Sequence, residues 1–184
     1  MKVEYNSTNV SWEYNGKKIE ITLDKVLHAR FSKYTNKIEI ETGEGFIEEW
    51  VYYYTLTGVF LAKQHLDTGE ITWFHNGEHR LSLPYTETIG FYPDYELIFI
   101  IYRLSEDESS VTAMKVFNLD GNLINSLDSP EGYTMLYVSE IKDEKVRVAC
   151  EAIDRENYDP YGRSRFHFAL DLKDQKWVKD GLAY

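Results

Sequence analysis

Apolar and polar residues alternate along residues 9–23, on both sides of the dipeptide Asn15-Gly16. Asn-Gly accepts the two positive φ angles of a type I′ turn, so this position predicts a two-residue β-hairpin. Counting outward from the turn pairs Trp12 with Ile19 and places the apolar side chains of both strands on one face. The turn chemistry and the alternation therefore predict the same hairpin in the same register.

Strand patterns continue along the rest of the chain, and helical patterns are nearly absent. No stretch of about 12 residues combines apolar positions at helical spacing with a credible N-cap. The sequence therefore predicts a single all-β domain over residues 1–184. It divides into four four-stranded antiparallel units at 9–42, 45–83, 86–127 and 133–179. Within the second unit, residues 45–48 and 50–56 are predicted as separate strands.

Three segments have the same form, in which a strand ends near Leu, turns tightly and returns: LDTGEITW, NLDGNLI and DLKDQKW. Their marker residues Leu66, Leu119 and Leu172 are spaced by 119 − 66 = 53 and 172 − 119 = 53 residues. A repeat of this length is typical of bladed or stacked β architectures. The three segments resemble the outer hairpin of β-propeller blades. The resemblance implies a small propeller or an open propeller-like arrangement, and a β-sandwich is the alternative.

The composition indicates a folded protein that does not bind polyanions. The chain has 28 aromatic residues among 184, and 20 basic against 31 acidic residues give a net charge of −11. So many aromatic side chains argue against disorder. The negative charge repels phosphate backbones and anionic lipid headgroups, so we expect neither nucleic-acid nor membrane binding.

Targeting signals are not evident in the sequence. The longest apolar run, residues 97–102, is far shorter than the roughly 20 residues that cross a bilayer. The N-terminal residues have no apolar secretory segment. The lone Cys150 cannot form an internal disulfide, which agrees with a reducing compartment. We therefore expect a cytoplasmic location.

The loops that join the second and third strands of each unit indicate a candidate working surface. They are short in the first two units, at 24–25 and 57–58, and long in the last two, at 104–110 and 154–164. Extra length that the scaffold does not need is a candidate for function. Residues 61–120 carry four basic and ten acidic residues, a balance of −6. Carboxylates steer a basic partner and tyrosines supply rigid contact area, so we expect partner-binding residues here. They are Glu106, Asp107, Glu108, Asp154, Glu156, Tyr158, Asp159 and Tyr161.

Catalytic and metal-binding patterns are weak, so we expect no enzymatic activity, no cofactor and no metal. His75 and His79 have ligand spacing for a helix, but they flank Asn76-Gly77, which favours a hairpin with His79 opposite Phe74. The acidic residues of loop 154–164 lack the regular spacing of a calcium loop. Cys150 alternates with apolar neighbours and is predicted to be buried.

A compact, acidic, all-β chain without catalytic motifs resembles the immunity proteins that bacteria pair with toxins. The resemblance implies a cytosolic inhibitor that blocks the active site of a basic toxin such as a nuclease, using an acidic, tyrosine-containing surface. Two alternatives remain open. One is a carbohydrate-binding or glycosidase-like propeller, in which exposed Trp and Tyr residues would stack on sugars. The other is a structural subunit of an assembly. The oligomeric state is not predicted.

Overall fold

The computed structural model describes residues 1–33, 35–107, 109–142 and 145–183. Over these residues the fold is all-β, as predicted: the only helical turns described are two short 3₁₀ segments, Pro93–Tyr95 and Arg155–Asn157. The described residues include no helix that could span a membrane.

The strands follow one another with short connections. In chain order they are β1 Val3–Tyr5, β2 Asn9–Tyr14, β3 Lys17–Thr22, β4 Val26–Ser32, β5 Lys37–Glu44, β6 Ile47–Tyr54, β7 Phe60–His65, β8 Glu70–Phe74, β9 Glu78–Ser82, β10 Thr86–Tyr92, β11 Leu97–Arg103, β12 Thr112–Asn118, β13 Leu123–Asp128, β14 Tyr133–Lys142, β15 Lys145–Ala152, β16 Arg165–Asp171 and β17 Lys176–Leu182. Strand β1 lies outside the predicted strands, and β9 is the returning strand of the hairpin predicted at Asn76-Gly77. The predicted separate strands 45–48 and 50–56 are wrong, because the single strand β6 replaces them.

The strands form four antiparallel sheets, each of which connects neighbours in chain order. The sheets are β1–β3, β4–β9, β10–β13 and β14–β17. The prediction of four strands per unit holds for the last two sheets and is wrong for the first two, which have three and six. The reason is local pairing: β5 pairs with β6 as well as with β4, so the predicted boundary near residue 42 falls inside a continuous sheet.

The chain also divides into two compact halves, an N-terminal half Met1–Pro84 and a C-terminal half Tyr85–Tyr184. In the N-terminal half, Val10 and Trp12 of the first sheet pack with Ile38 and Ile40 of the second. The Trp12 indole N–H donates to the carbonyl of Leu56 at 2.8 Å, so the buried ring keeps its polar group satisfied.

The hairpin at Asn15-Gly16 is confirmed in its predicted register. Trp12 lies opposite Ile19, and the two turn residues have φ angles of 52° and 72°. The apolar face of β2 is buried, with Trp12 only 3% exposed. A strong turn signal and a period-two pattern are local properties, which explains why sequence reasoning placed this element correctly.

The second predicted hairpin exists, but its register differs by one residue. His79 lies opposite Trp73 instead of Phe74, because the turn contains His75, Asn76 and Gly77. The His79 ring stacks on Trp73, with ring centroids 5.3 Å apart, and its Nε2 lies 2.7 Å from the carbonyl oxygen of His75. These contacts give His79 a packing role beside the turn.

In the C-terminal half, the two four-stranded sheets share one apolar core. Phe99 and Met114 from one sheet and Val148 and Phe168 from the other belong to the same buried cluster. Cys150 is part of it, as predicted, and burial raises the pKa of its thiol to about 12. A thiol with so high a pKa is unreactive at neutral pH.

Side-chain hydroxyls connect the two sheets along β14, the edge strand of its sheet. Thr88 donates to the carbonyl of Leu136 at 2.9 Å, and Tyr92 donates to the carbonyl of Val138 at 2.8 Å. The Tyr95 hydroxyl donates to the carbonyl of Ile141 at 2.9 Å. We call these contacts the hydroxyl seam. They satisfy acceptors that lie on the open side of an edge strand.

Replacing Tyr92 by Phe tests the hydroxyl seam. The change removes one donor and keeps the ring, so we expect the free energy of unfolding to fall by about 1 kcal/mol. The measurement is urea unfolding followed by tryptophan fluorescence. The control is Tyr5→Phe, because Tyr5 is exposed on the short strand β1. Equal stability of the Tyr92→Phe variant and the unchanged protein would contradict a stabilising role for the seam.

Candidate functional site

The two long loops occupy equivalent places in the last two sheets. Loop 104–110 follows β11 and leads to β12, and loop 154–164 follows β15 and leads to β16. Each therefore joins the second and third strands of a four-stranded sheet. The Leu104 N–H donates to the carbonyl of Val111 at 3.2 Å, which closes the first loop at its base.

One cavity of about 520 Å³ lies at the base of loop 104–110. Ser110, the last residue of loop 104–110, lines it, and so does Glu151 of β15. Ser164, the last residue of loop 154–164, donates to the Glu151 carboxylate at 3.0 Å. Loop 154–164 contributes no lining residue and is connected to the cavity wall through this hydrogen bond. The lining residues of the cavity are Glu87, Thr88, Arg103, Ser110, Thr112, Thr134, Met135, Leu136 and Glu151.

The charges of the cavity are paired with one another. Arg103 forms an ion pair with Glu87 and donates from Nη1 to the carbonyl of Glu106 at 2.9 Å. Glu151 receives a second bond, at 3.3 Å, from Nε of Arg165. These bonds connect the cavity wall to loop 104–110 through Arg103 and to loop 154–164 through Ser164.

A hydroxyl cluster forms one wall of the cavity. Thr112 accepts the N–H of Met135 at 2.7 Å, and its Oγ1 lies 3.0 Å from the Thr134 hydroxyl and 3.1 Å from the Ser129 hydroxyl. Thr112 is 5% exposed. Its oxygen links β12 to β14 and is thereby held in a structural role.

The predicted residues of loop 104–110 present charge to solvent. Glu106 and Asp107 are exposed, and Glu108 lies outside the described residues. The Asp107 carboxylate accepts the backbone N–H of Ser109 at 2.9 Å and its hydroxyl at 2.8 Å. These hydrogen bonds lower the pKa of Asp107. The carboxylate therefore stays charged and shapes the loop tip.

Within loop 154–164, Asp159 organises the backbone. Its Oδ1 accepts the N–H groups of Tyr161 and Arg163, each at 2.9 Å, and Arg163 also pairs with Oδ2. Desolvation opposes ionisation of this carboxyl, but the hydrogen bonds from Arg163 and Tyr161 outweigh it and lower the pKa of Asp159. With its side chain only 12% exposed, Asp159 holds the loop together and presents little charge. Asp154 and Glu156 are exposed.

The two predicted tyrosines of this loop have different surroundings. Tyr158 is half-buried and packs against the apolar core of the C-terminal half. Tyr161 is 84% exposed, and the Arg163 guanidinium lies 5.1 Å from its ring centroid. The structure therefore places only Tyr161 where a partner could cover its ring.

Sequence reasoning missed the apolar residues at the loop bases. Leu104, Val111 and Ile153 are exposed. Each directly follows or precedes a strand, at a position where a scaffold turn would normally carry a polar residue, and that was the available signal. We call loops 104–110 and 154–164 with these three residues the loop surface. It combines apolar area with carboxylates.

The described residues also bear on two other kinds of site, a metal site and a sugar-stacking site. Among the described residues, no group of three His, Cys, Asp or Glu side chains could hold a metal ion. All four tryptophans lie in described segments, and none is exposed: Trp12 and Trp73 are buried, while Trp50 and Trp177 are half-buried. An exposed tryptophan pair for sugar stacking is therefore not present.

Comparisons with known proteins add little. No family model matches the chain, and no curated protein matches it. The crystal structure of the uncharacterized protein lmo1340 from Listeria monocytogenes EGD-e is similar over 86% of this chain, with 14% sequence identity and a TM-score of 0.39. This chain spans 41% of that one. Such a distant likeness assigns neither a fold family nor a function.

Replacing Asp159 by Asn tests its role in loop 154–164. Because the folded state lowers the pKa of Asp159, its stabilisation is full above the unfolded pKa, about 4, and is lost as the pH falls through the folded value. We expect the variant to have a lower urea midpoint at pH 7 and a difference that shrinks in acid. Asp154→Asn is the control, since that side chain is exposed. A pH-independent difference would contradict the role.

Proposed function

We propose that the chain is a protein-binding inhibitor and that the loop surface is its contact area. One observation carries the proposal. Two loops are longer than the turns that their sheets need: loop 104–110 borders the cavity, and loop 154–164 is hydrogen-bonded to the cavity wall through Ser164. The loop surface exposes apolar and acidic side chains together. Exposed apolar area beside charges is typical of protein-interaction sites.

The pairing inside the cavity favours a protein partner over a small ligand. Arg103 is already bonded to Glu87 and to the Glu106 carbonyl, and Glu151 to Ser164 and Arg165. A small polar ligand would have to break these bonds. The exposed side chains of the loop surface lie outside this bonded network, so a partner protein can contact them without breaking it.

The charge indicates the class of partner. The chain carries a net charge of −11, and loop 104–110 contributes three adjacent carboxylates at residues 106–108. Such a surface accelerates association with a basic protein. We assign contact roles to Glu106, Asp107, Glu108, Asp154, Glu156 and Tyr161. Asp159 and Tyr158 support the loop.

A bacterial toxin with a basic active-site cleft, such as a nuclease, fits this surface. The carboxylates would occupy the positions of substrate phosphates, and Tyr161 would fill the cleft as a rigid aromatic anchor. The chain would thus act as an immunity protein in the cytosol of the cell that makes the toxin. Binding and steric blocking suffice for this function, and no catalysis is required of the chain.

We also propose that the four-stranded sheets are propeller-type blades. Sheets β10–β13 and β14–β17 are both meanders of four antiparallel strands, and the first strand of each contacts the other through the hydroxyl seam. These features support blades in an open or closed arrangement, and a β-sandwich is the competing architecture.

Replacing Glu106, Asp107 and Glu108 together by Ser tests the charge contribution. The partner is first identified by co-purification from the native cell and mass spectrometry, and is expected to be basic. The association rate of the variant should fall strongly at low salt and little at high salt, because screening removes long-range steering. The association rate is measured by surface plasmon resonance at several ionic strengths.

The matched control changes Glu13, Asp24 and Asp67 to Ser, which alters the net charge equally at exposed positions of the N-terminal half. If the charge effect is local to loop 104–110, the association rate of this control should not fall. An equal fall in the association rate of both variants, or the absence of a salt dependence in both, would contradict the proposed steering.

Replacing Tyr161 by Ser tests the anchor. The ring is 84% exposed in the free protein, so folding stability should change little. Loss of a buried aromatic anchor should weaken binding by about tenfold or more, mainly through faster dissociation. The dissociation rate and the melting temperature are measured together. Unchanged dissociation from the partner would exclude Tyr161 from the interface.

A further inference from the structure

The hairpin that joins β5 and β6 carries a large apolar side chain at its tip. The turn residues are Gly45 and Phe46, and Glu44 lies opposite Ile47. Phe46 is 95% exposed and Ile47 is 69% exposed. A nearly complete phenylalanine ring in solvent contributes nothing to a core. Folding therefore gives no reason for this residue at this place.

The backbone conformation of the tip is a second, independent observation that folding alone does not explain Phe46 at this position. Gly45 and Phe46 have φ angles of 59° and 66°, so both turn residues are left-handed. Another two-residue hairpin with positive φ at both turn residues has Asn15 and Gly16, with Gly at the second position. At that position glycine costs least, and a bulky side chain is strained. Phe46 thus occupies the place where local physics favours glycine.

The base of the hairpin is braced by close packing and hydrogen bonds. The pairing of β5 with β6 shifts between Thr42 and Gly43, which places a β-bulge at the base of the hairpin. A Cβ atom on Gly43 would lie 1.8 Å from the carbonyl oxygen of Ile47, so the two strands approach as closely as glycine allows. Lys25 braces the same base: its carbonyl accepts the Gly43 N–H at 3.0 Å, and its Nζ lies 2.9 Å from Glu44. These contacts fix where the tip projects from the sheet.

Carboxylates surround the tip. Glu44, Glu48 and Glu49 lie within three residues of Phe46, and Lys25 is paired with the first of them. This charge repels anionic membranes. It complements an apolar pocket whose edge carries lysine or arginine.

We propose that the β5–β6 hairpin tip is a docking anchor that inserts Phe46 into an apolar pocket, edged by basic residues, on a partner protein. The anchor retains a strained backbone because the ring is used in binding. This inference does not depend on the loop surface, which belongs to the other half of the chain.

Photo-crosslinking from the tip identifies the partner. The full chain is produced in its native cell with p-benzoylphenylalanine at position 46, and in a parallel sample at position 74. Phe74 is the matched control, because it is an exposed phenylalanine whose ring contacts Phe60. We expect an adduct with a second protein from position 46 only. The absence of that adduct, or an adduct of the chain with itself, would overturn the proposal.

Binding of the purified partner to F46G then provides the decisive measurement. Loss of a buried phenyl ring should weaken the affinity by about tenfold or more. Glycine relieves the left-handed strain, so the melting temperature of F46G should stay equal or rise. The control F74S should bind normally, and E48K should weaken binding more at low salt than at high salt.

An affinity of F46G equal to that of the unchanged chain would overturn the proposal. So would sedimentation of the chain with phosphatidylcholine vesicles that F46G abolishes, since this would make the ring a membrane anchor. If F46G is more stable but no longer binds, Phe46 has a binding role and not a structural one. Truncation of a structural residue would instead lower the stability of the protein.

Discussion

An edge strand has backbone carbonyls on its open side, and covering them without donors costs free energy. In the C-terminal half that edge is β14, and the hydroxyls of Thr88, Tyr92 and Tyr95 reach its carbonyls. These hydrogen bonds join two sheets that also share one apolar core. Both long loops connect strands of these sheets.

Acidic residues in the loops shape the backbone, present charge or, in the case of the exposed Asp107, do both. Asp159 and Asp107 accept backbone N–H groups and give the loops their shape. Glu106 and Glu156 leave their carboxylates exposed. A loop that is stiffened by its own carboxylates can present other carboxylates and a tyrosine without a large entropic cost on binding. Scaffold and contact roles thus fall to neighbouring residues of the same chemical type.

Two hairpins of the N-terminal half, both with positive φ at their two turn residues, show how a functional position can be recognised from a conflict with local preferences. Asn15-Gly16 satisfies every local preference, and its strands bury an apolar face. Gly45-Phe46 uses the same backbone geometry with an aromatic residue in the glycine position, and its ring is in solvent. Natural sequences are locally consistent except where function requires otherwise. The exception therefore indicates a site that neither composition nor repeat spacing reveals.

Local patterns in the amino-acid sequence were sufficient for the all-β class, the Asn15-Gly16 register, the burial of Cys150 and the two long loops. Alternation and turn chemistry act over a few residues, and they can be recognised without the fold. The grouping of β4 and β5 with β6, the one-residue shift at His79 and the different surroundings of Tyr158 and Tyr161 required the tertiary structure. Pairing between sheets and the burial of a single ring depend on partners that are distant in the chain, such as Thr88 and Leu136, and no local pattern specifies them.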